Sequence, residues 1–388
     1  MAEDQPAAQW HIALADVSIG DEEIAAVTEV LRSGWLSMGP TTEHFEQALG
    51  DYLGAEHVLA VTNGTAALHL AAAALGIGPG DEVICPSLTF VASAAAMLQT
   101  GATVRLADST SLDDFSLNPD EIDRLAGPRT RAVVVVHYGG YPAAMEEIMA
   151  RCRARELLVI EDAAHAPGAA INGRSCGTIG DAGCFSFFPN KNMTTGEGGA
   201  VVFADEKAAS KARLLRSHAM TALTWDRHLG HANSYDVLDV GFNYRIDEIR
   251  AALGLVQLAR LDTMNASRAR LATLYRLLLA DQPSLVVPGF GARGRPVHHL
   301  AVALAPRDSR DRVRQLLRGR GIQTSVHYPA IHRFSHYRQT HETELPVAEE
   351  IAERVITLPL HPRLGEAEIR EICEALVEAV ADNQAAPN

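Results

Sequence analysis

Lysine is scarce in this sequence: three lysines stand against 31 arginines in 388 residues. Cysteine is sparse too, with five (Cys85, Cys152, Cys176, Cys184, Cys373), an odd number without C-x-x-C spacing. That excludes a disulfide framework and a thiolate zinc site, and reads as reduced thiols in a cytoplasmic protein. Positive charge is in deficit: the net charge of −14 argues against nucleic acid or an anionic membrane as partner. No apolar run is long enough to span a bilayer, and the start MAEDQPAAQWHI lacks the basic-then-apolar pattern of a signal segment. A phosphate-bearing ligand would therefore be held by local groups, since no global field draws it in.

What is present is enough apolar material to bury a large core, in one domain or two unequal ones. Residues 21–33 (DEEIAAVTEVLRS) form an amphipathic pattern that starts at Gly20 or Asp21 and stops at Gly34. From 57 to 204 short β-rich runs alternate with helical stretches. The strand candidates are 57–62, 82–87, 103–108, 132–138, 157–162, 184–188 and 200–204. Several are apolar throughout, as strands covered on both faces are. Segments 65–76 and 144–155 read as helices between them. This alternation predicts an α/β sheet with its ligand site at the carboxyl ends of the strands. Residues 214–245 break the rhythm with a long loop containing Trp225, His228, His231 and Tyr235. A long helix over 246–279 then leads to a smaller α+β unit that includes 298–304, 313–321 and 369–380.

Three segments carry chemistry. Thr62-Asn63-Gly64-Thr65 ends a strand and opens a helix, which suits a phosphate cradle and equally an ordinary helix cap. Asp162, in Glu161-Asp162-Ala163-Ala164-His165, leaves a strand at its carboxyl end. A carboxylate there can pair with a protonated ring nitrogen, although such an acid can also be purely structural. Lys191 follows Phe185-Ser186-Phe187-Phe188-Pro189-Asn190 and precedes a glycine-rich turn. Its apolar neighbours point to partial desolvation, which favours imine formation and proton shuttling over a simple surface role. Lys207 and Lys211, four apart on a polar helix face, are expected to be solvated. If the chemistry needs a Schiff-base lysine, Lys191 is the candidate.

The order phosphate turn, aspartate, lysine resembles fold-type I pyridoxal-phosphate (PLP) enzymes. Within them it is similar to the DegT/StrS family of nucleotide-sugar aminotransferases. The resemblance runs from Gly34-Trp35-Leu36-Ser37-Met38-Gly39-Pro40 to Leu358-Pro359-Leu360-His361-Pro362 and includes NGTAAL, PSLTF, EDAAHAPGA, CFSFFPNKNMTTGEGG, GFNYRIDEIRAALG and SVHYPAIH. It implies an N-terminal segment (1–20), a large PLP-binding domain (21–258) with a mostly parallel seven-stranded sheet, and a smaller C-terminal α+β domain (259–388). By the same resemblance Lys191 holds the cofactor covalently and then acts as the base of the 1,3-proton transfer. Asp162 binds the pyridine nitrogen and Phe90 stacks on the ring. Gly64, Thr65 and Ser186 hold the phosphate, and Asn243 reaches it from the other subunit of an obligate homodimer. His165 lies near the cofactor's 3-hydroxyl, while His327 and Tyr328 face the sugar.

The implied activity moves an amino group from L-glutamate to a keto-sugar nucleotide in ping-pong fashion. A 4-keto-6-deoxyhexose on dTDP is the favoured substrate, and the arginine bias suits a GC-rich genome and natural-product glycosylation. A 3-keto sugar, a UDP-linked sugar and a cyclitol ketone stay open, as do the base-reading residues, with Trp35, Trp225 and Arg245 as candidates. A PLP-dependent sugar dehydratase on the same fold is the nearest rival; in the resembling dehydratases histidine replaces the lysine. A regulatory protein without turnover is the other, and the intact set Lys191, Asp162 and Ser186 argues against it. Two patterns mislead. Gly289-Phe290-Gly291-Ala292-Arg293-Gly294 matches G-x-G-x-x-G but is followed by Arg295-Pro296 and a β-like run where a dinucleotide site needs a helix. His327, His332 and His336 have no metal-ligand spacing.

Overall fold

A computed structural model describes residues 10–222, 230, 234–338 and 344–385. Trp225, His228 and His231 of the long loop lie outside the described residues.

A seven-stranded sheet organises the chain. Its strands are β1 (His57–Val61), β2 (Glu82–Pro86), β3 (Thr103–Ala107), β4 (Thr130–Val136), β5 (Leu158–Asp162), β8 (Ala182–Ser186) and β9 (Gly199–Phe203). The intervening β6 (Ala170–Ile171) and β7 (Arg174–Ser175) make a separate hairpin. Each expected strand is there. The spatial order is β1-β9-β8-β5-β4-β2-β3, with β9 antiparallel to both its neighbours and the other pairings parallel. Because β9 alone is reversed, β1, β2, β4, β5 and β8 all end at the same edge. Gly64, Thr65, Phe90, Asp162, His165, Ser186 and Lys191 all lie at or just beyond these strand ends.

The apolar runs have a simple cause. Val134 and Val136 of β4 pack into one core with α3 (Gly64–Ala74) and α4 (Ala92–Gln99), while Val133 and Val135 pack into another with α5 (Asp120–Leu125) and α6 (Met145–Ala154). Both faces are covered, so neither can alternate with polar residues. A third core joins Val58, Ala60 and Phe185 to α2 (Pro40–Leu53) and the long helix Glu248–Leu279. The same alternation separates Glu161 from Asp162. Glu161, fully buried, accepts hydrogen bonds from the N–H groups of Gly177 (2.8 Å), Ile179 (2.6 Å) and Gly180 (2.7 Å) and shares one with His137 Nε2 (2.8 Å). Despite its burial these partners hold it ionised. It is a structural acid, leaving Asp162 for the opposite side.

The long helix starts at a side-chain cap, Asp247 accepting from the N–H of Arg250 (2.9 Å), and runs unbroken through residues 258 and 259. Its second half joins a core with β10 (Ala301–Leu304), β11 (Val355–Leu358) and the helices Arg310–Gly319 and Glu366–Ala385. The run expected as a strand from 298 begins only at Ala301. His298 has φ +49°, and the N–H of His299 donates to Gly139 O (2.8 Å), so both residues belong to the main sheet's loops instead. Ile12 joins this second core and pairs with Gly321 and Gln323. Around Gly289–Gly294 the chain makes a short 3-10 turn and then runs extended, bonding to Ala170. The helix required of a dinucleotide fingerprint does not follow.

Candidate active site

At the shared strand edge lies a cavity of ≈580 Å³, within the range of small-molecule sites. Gly64, Thr65, Phe90, Asp162, His165, Ser186, Lys191, His327 and Tyr328 all line it. Residues as far apart in the sequence as Gly64 and Tyr328 thus meet in one place. Asn243 does not line the cavity of its own chain: it is exposed and bridges to Ser217. Its neighbour Tyr244 does line it, with the hydroxyl 2.9 Å from His69 Nδ1.

The turn after β1 serves both purposes open to it in the sequence. Asn63 caps α3, its side chain accepting from the N–H of Ala66 (2.8 Å). Gly64 and Thr65 begin the helix at the cavity wall, where first-turn N–H groups have no partner within the helix. A Cβ on Gly64 would stand 2.9 Å from that of Ser186, so only glycine lets the two strand ends close together.

Lys191 sits in the loop between β8 and β9. That loop is sewn down by Thr195 N–H and Thr194 Oγ1 donating to Phe187 O (2.9 and 3.0 Å) and Lys191 N–H donating to Phe188 O (2.9 Å). Next to it, Asn192 donates to Asn265 Oδ1 (2.8 Å) and Val297 O (2.9 Å), and its Oδ1 meets His299 Nδ1 (3.1 Å). Desolvation by the wall pushes the Lys191 ammonium down to about 8, against the opposing pull of Asp162. A neutral fraction far above that of an ordinary lysine at physiological pH suits a nucleophile and base. Lys207 and Lys211 are exposed on the helix Glu206–Leu215.

Asp162 is nearly buried and accepts from Ser93 Oγ (2.6 Å) and the N–H of Ala164 (3.2 Å). His165 is assigned by its partners. Gly139 N–H donates to Nδ1 (3.2 Å), so the proton sits on Nε2 and is directed at the Tyr328 hydroxyl (2.9 Å). Burial, then Lys191 and His327, hold His165 well below its ordinary value, and the ring stays neutral. Tyr328 stacks on it at 25° and is kept protonated by burial. Its O–H is not used by His165 and can be offered to a ligand. Phe90, 55% exposed, lies 5.8 Å from the Tyr328 ring. His327 shares a 2.9 Å hydrogen bond with Thr357 through Nδ1, and burial and then Lys191 lower it to about 4. His332 lies instead between Ser87 Oγ (2.7 Å) and Glu349 (2.9 Å), and His336 packs on Tyr337.

These residues fit PLP: a lysine that loses its proton easily, a buried carboxylate, an aromatic face and a helix start closed to side chains. The model of the DegT/DnrJ/EryC1/StrS aminotransferase family matches residues 17–377. The chain belongs to this family. Spore coat polysaccharide biosynthesis protein SpsC of Bacillus subtilis is 39% identical, over 93% of this chain and 95% of its own. A dTDP-4-dehydro-2,3,6-trideoxy-D-glucose 4-aminotransferase of Saccharopolyspora spinosa is 38% identical over 93% and 95%. The crystal structure of the aminotransferase TlmJ from Streptoalloteichus hindustanus superposes with a TM-score of 0.89 at 34% identity, covering 96% of this chain and 99% of that one. This aminotransferase is accordingly PLP-dependent. Among its described residues, Ser93 and His299 support the site from outside the quoted motifs, and Thr89, Asn192 and Tyr244 support it from inside them at positions given no role. Their one signal is polarity inside otherwise apolar or helical stretches.

Proposed function

We propose that this aminotransferase takes the amino group of L-glutamate and places it on a nucleotide-linked keto-sugar. The substrate we assign is dTDP-4-keto-6-deoxy-D-glucose, giving dTDP-4-amino-4,6-dideoxy-D-glucose for natural-product or surface-glycan sugars. The observation that carries the transaminase reading is the convergence of Lys191, Asp162, Phe90, Gly64 and Ser186 on one cavity. Support for the sugar comes from the Saccharopolyspora relative, whose name specifies a dTDP-linked 4-keto sugar. Lysine at 191, where resembling dehydratases carry histidine, favours amine transfer over dehydration.

Bound PLP supplies an electron sink for negative charge on the substrate carbon. The chain supplies the rest. Lys191, neutral in part near pH 8, would hold the cofactor and could then serve as the base that accepts and returns the substrate proton. Asp162 would pair with the ring nitrogen, Phe90 would stack on the ring, and Gly64, Thr65 and Ser186 would hold the phosphate at the start of α3. His165 and Tyr328, joined by a hydrogen bond, would lie near the cofactor's 3-hydroxyl, and Tyr328 and His327 would face the sugar.

We assign the protein to the cytoplasm as a homodimer in which Asn243 completes the partner's phosphate site. The exposed apolar residues Tyr235, Val237, Leu238 and Val240 beside it support a covered surface. We divide the chain at 20 and 258, with the long helix Glu248–Leu279 spanning the second junction.

The test is the absorption spectrum of the purified enzyme. Wild type shows a visible band that L-glutamate bleaches with formation of 2-oxoglutarate, and Lys191→Ala shows neither band nor turnover. Addition of dTDP-4-keto-6-deoxy-D-glucose then restores the band. If no amino donor bleaches it, the transaminase reading falls; if only a 3-keto or UDP-linked sugar restores it, the substrate assignment falls.

A further inference from the structure

We propose that Ser93, backed by Thr89, is the positioning residue that fixes the Asp162 carboxylate for the cofactor's ring nitrogen and locks it to the turn bearing Phe90. The inference rests on the role given to Asp162 above.

The geometry is directional. A carboxylate only accepts hydrogen bonds, so at 2.6 Å the Ser93 hydroxyl must donate to Asp162 Oδ2. Its single proton is then spent, and the carbonyl of Phe90 at 3.3 Å is left with the weaker share. Thr89 Oγ1, 3.0 Å from Ser93 Oγ, must in turn be the donor of that contact. The result is a one-way chain from Thr89 through Ser93 to Asp162. Ser93 is fully buried and Thr89 nearly so, which leaves no water to compete for either hydroxyl. Among the described residues, the other hydrogen bond to the Asp162 carboxylate is the longer one from Ala164 N–H.

The platform carrying these hydroxyls is itself anchored. Ser87, at the start of the same turn, holds His332 through its hydroxyl and accepts the N–H of Ile331 at its carbonyl (2.9 Å). His332 reaches on to Glu349. Phe90 and Ser93 are three residues apart on this anchored turn, so the group over the ring face and the group at the ring edge move as one.

The test compares Ser93→Ala, Ser93→Thr, Thr89→Val and Asp162→Asn with wild type by three readouts: equilibrium PLP affinity, the pH midpoint of the visible band, and melting of the cofactor-free protein. Losing a hydrogen bond to a charged group corresponds to roughly 10- to 100-fold weaker PLP binding in Ser93→Ala. Its band midpoint moves toward that of Asp162→Asn, and Ser93→Thr restores both. Thr89→Val shifts the midpoint in the same direction by less. The proposal is overturned if Ser93→Ala keeps wild-type affinity and midpoint, or if Ser93→Thr fails to recover them. Should Ser93→Ala not fold, an unmoved midpoint in Thr89→Val overturns it. An Asp162→Asn variant with unchanged PLP affinity would instead sink the role of Asp162 and leave the hydroxyl chain as a purely structural feature.

Discussion

At the scale of single residues, the proposed chemistry depends on keeping a lysine where a lysine is uncomfortable. Its folded value of about 8 against an ordinary 10.5 means that, without cofactor, the folded protein binds fewer protons than the unfolded chain between these limits. Stability therefore rises with pH from about 8 to 10.5, and below 8 the penalty is present in full. Lys191→Met removes it. The cofactor-free variant is expected to be more stable than wild type at pH 7 by on the order of 3 kcal/mol, with the gap closing by pH 10.5, as read by urea denaturation at both pH values. A gap that does not change with pH would mean the lysine is not desolvated. Lys191 was legible in the sequence because lysine is so rare here and its neighbours are apolar, and Asp162 because it ends an apolar strand. Ser93 and His299 were not. A serine on a short helix and a histidine before a strand look like filler until the fold sets them against Asp162 and Asn192.

At the scale of secondary-structure elements, one carboxylate ties together two helix starts. Glu248 starts the long helix, yet it accepts the N–H groups of Gly39 (2.9 Å), Thr41 (2.8 Å) and Thr42 (2.9 Å) and the Thr42 hydroxyl (2.7 Å) at the start of α2. It is a helix cap supplied from more than 200 residues away, and Gly254 lets the same two helices touch, a Cβ there falling 2.7 Å from the Phe45 ring. Glu248→Ala leaves those buried donors without an acceptor and is expected to cost on the order of 3 kcal/mol in urea unfolding. Glu248→Gln keeps part of the pattern and should cost less; equal losses would show that shape and not hydrogen bonding matters. Local signals placed the elements well: continuous apolar strands for a doubly covered sheet, and the turn at Asn63 as a helix cap. They failed at 298–300, where hydrogen bonds to the Gly139 turn and a positive φ at His298 override a sequence that reads as strand.

Over the whole molecule, two properties belong to no single element. His165, His299 and His327 are held below 6.5 chiefly by burial, His327 at about 4, so the folded protein keeps them neutral while the unfolded chain takes up protons. The stability they carry is complete above pH 6.5 and is lost as pH falls toward 4; urea midpoints measured across that window should drop steeply, and His299→Phe should flatten the slope. The second property is the shared site proposed for the dimer. If Lys191 and Asn243 serve one cofactor from different subunits, Lys191→Ala and Asn243→Ala are each impaired, but a mixed dimer has both lesions in one site and neither in the other. Random pairing on co-refolding makes half the dimers mixed, each with one intact site, and so returns roughly a quarter of wild-type turnover. Sites built within one chain would return no more than the two variants contribute separately. The exposed Val240, at 83%, sits three residues from Asn243. Val240→Glu should then weaken the dimer and the recovered activity together, linking the apolar loop to the phosphate site it is proposed to complete.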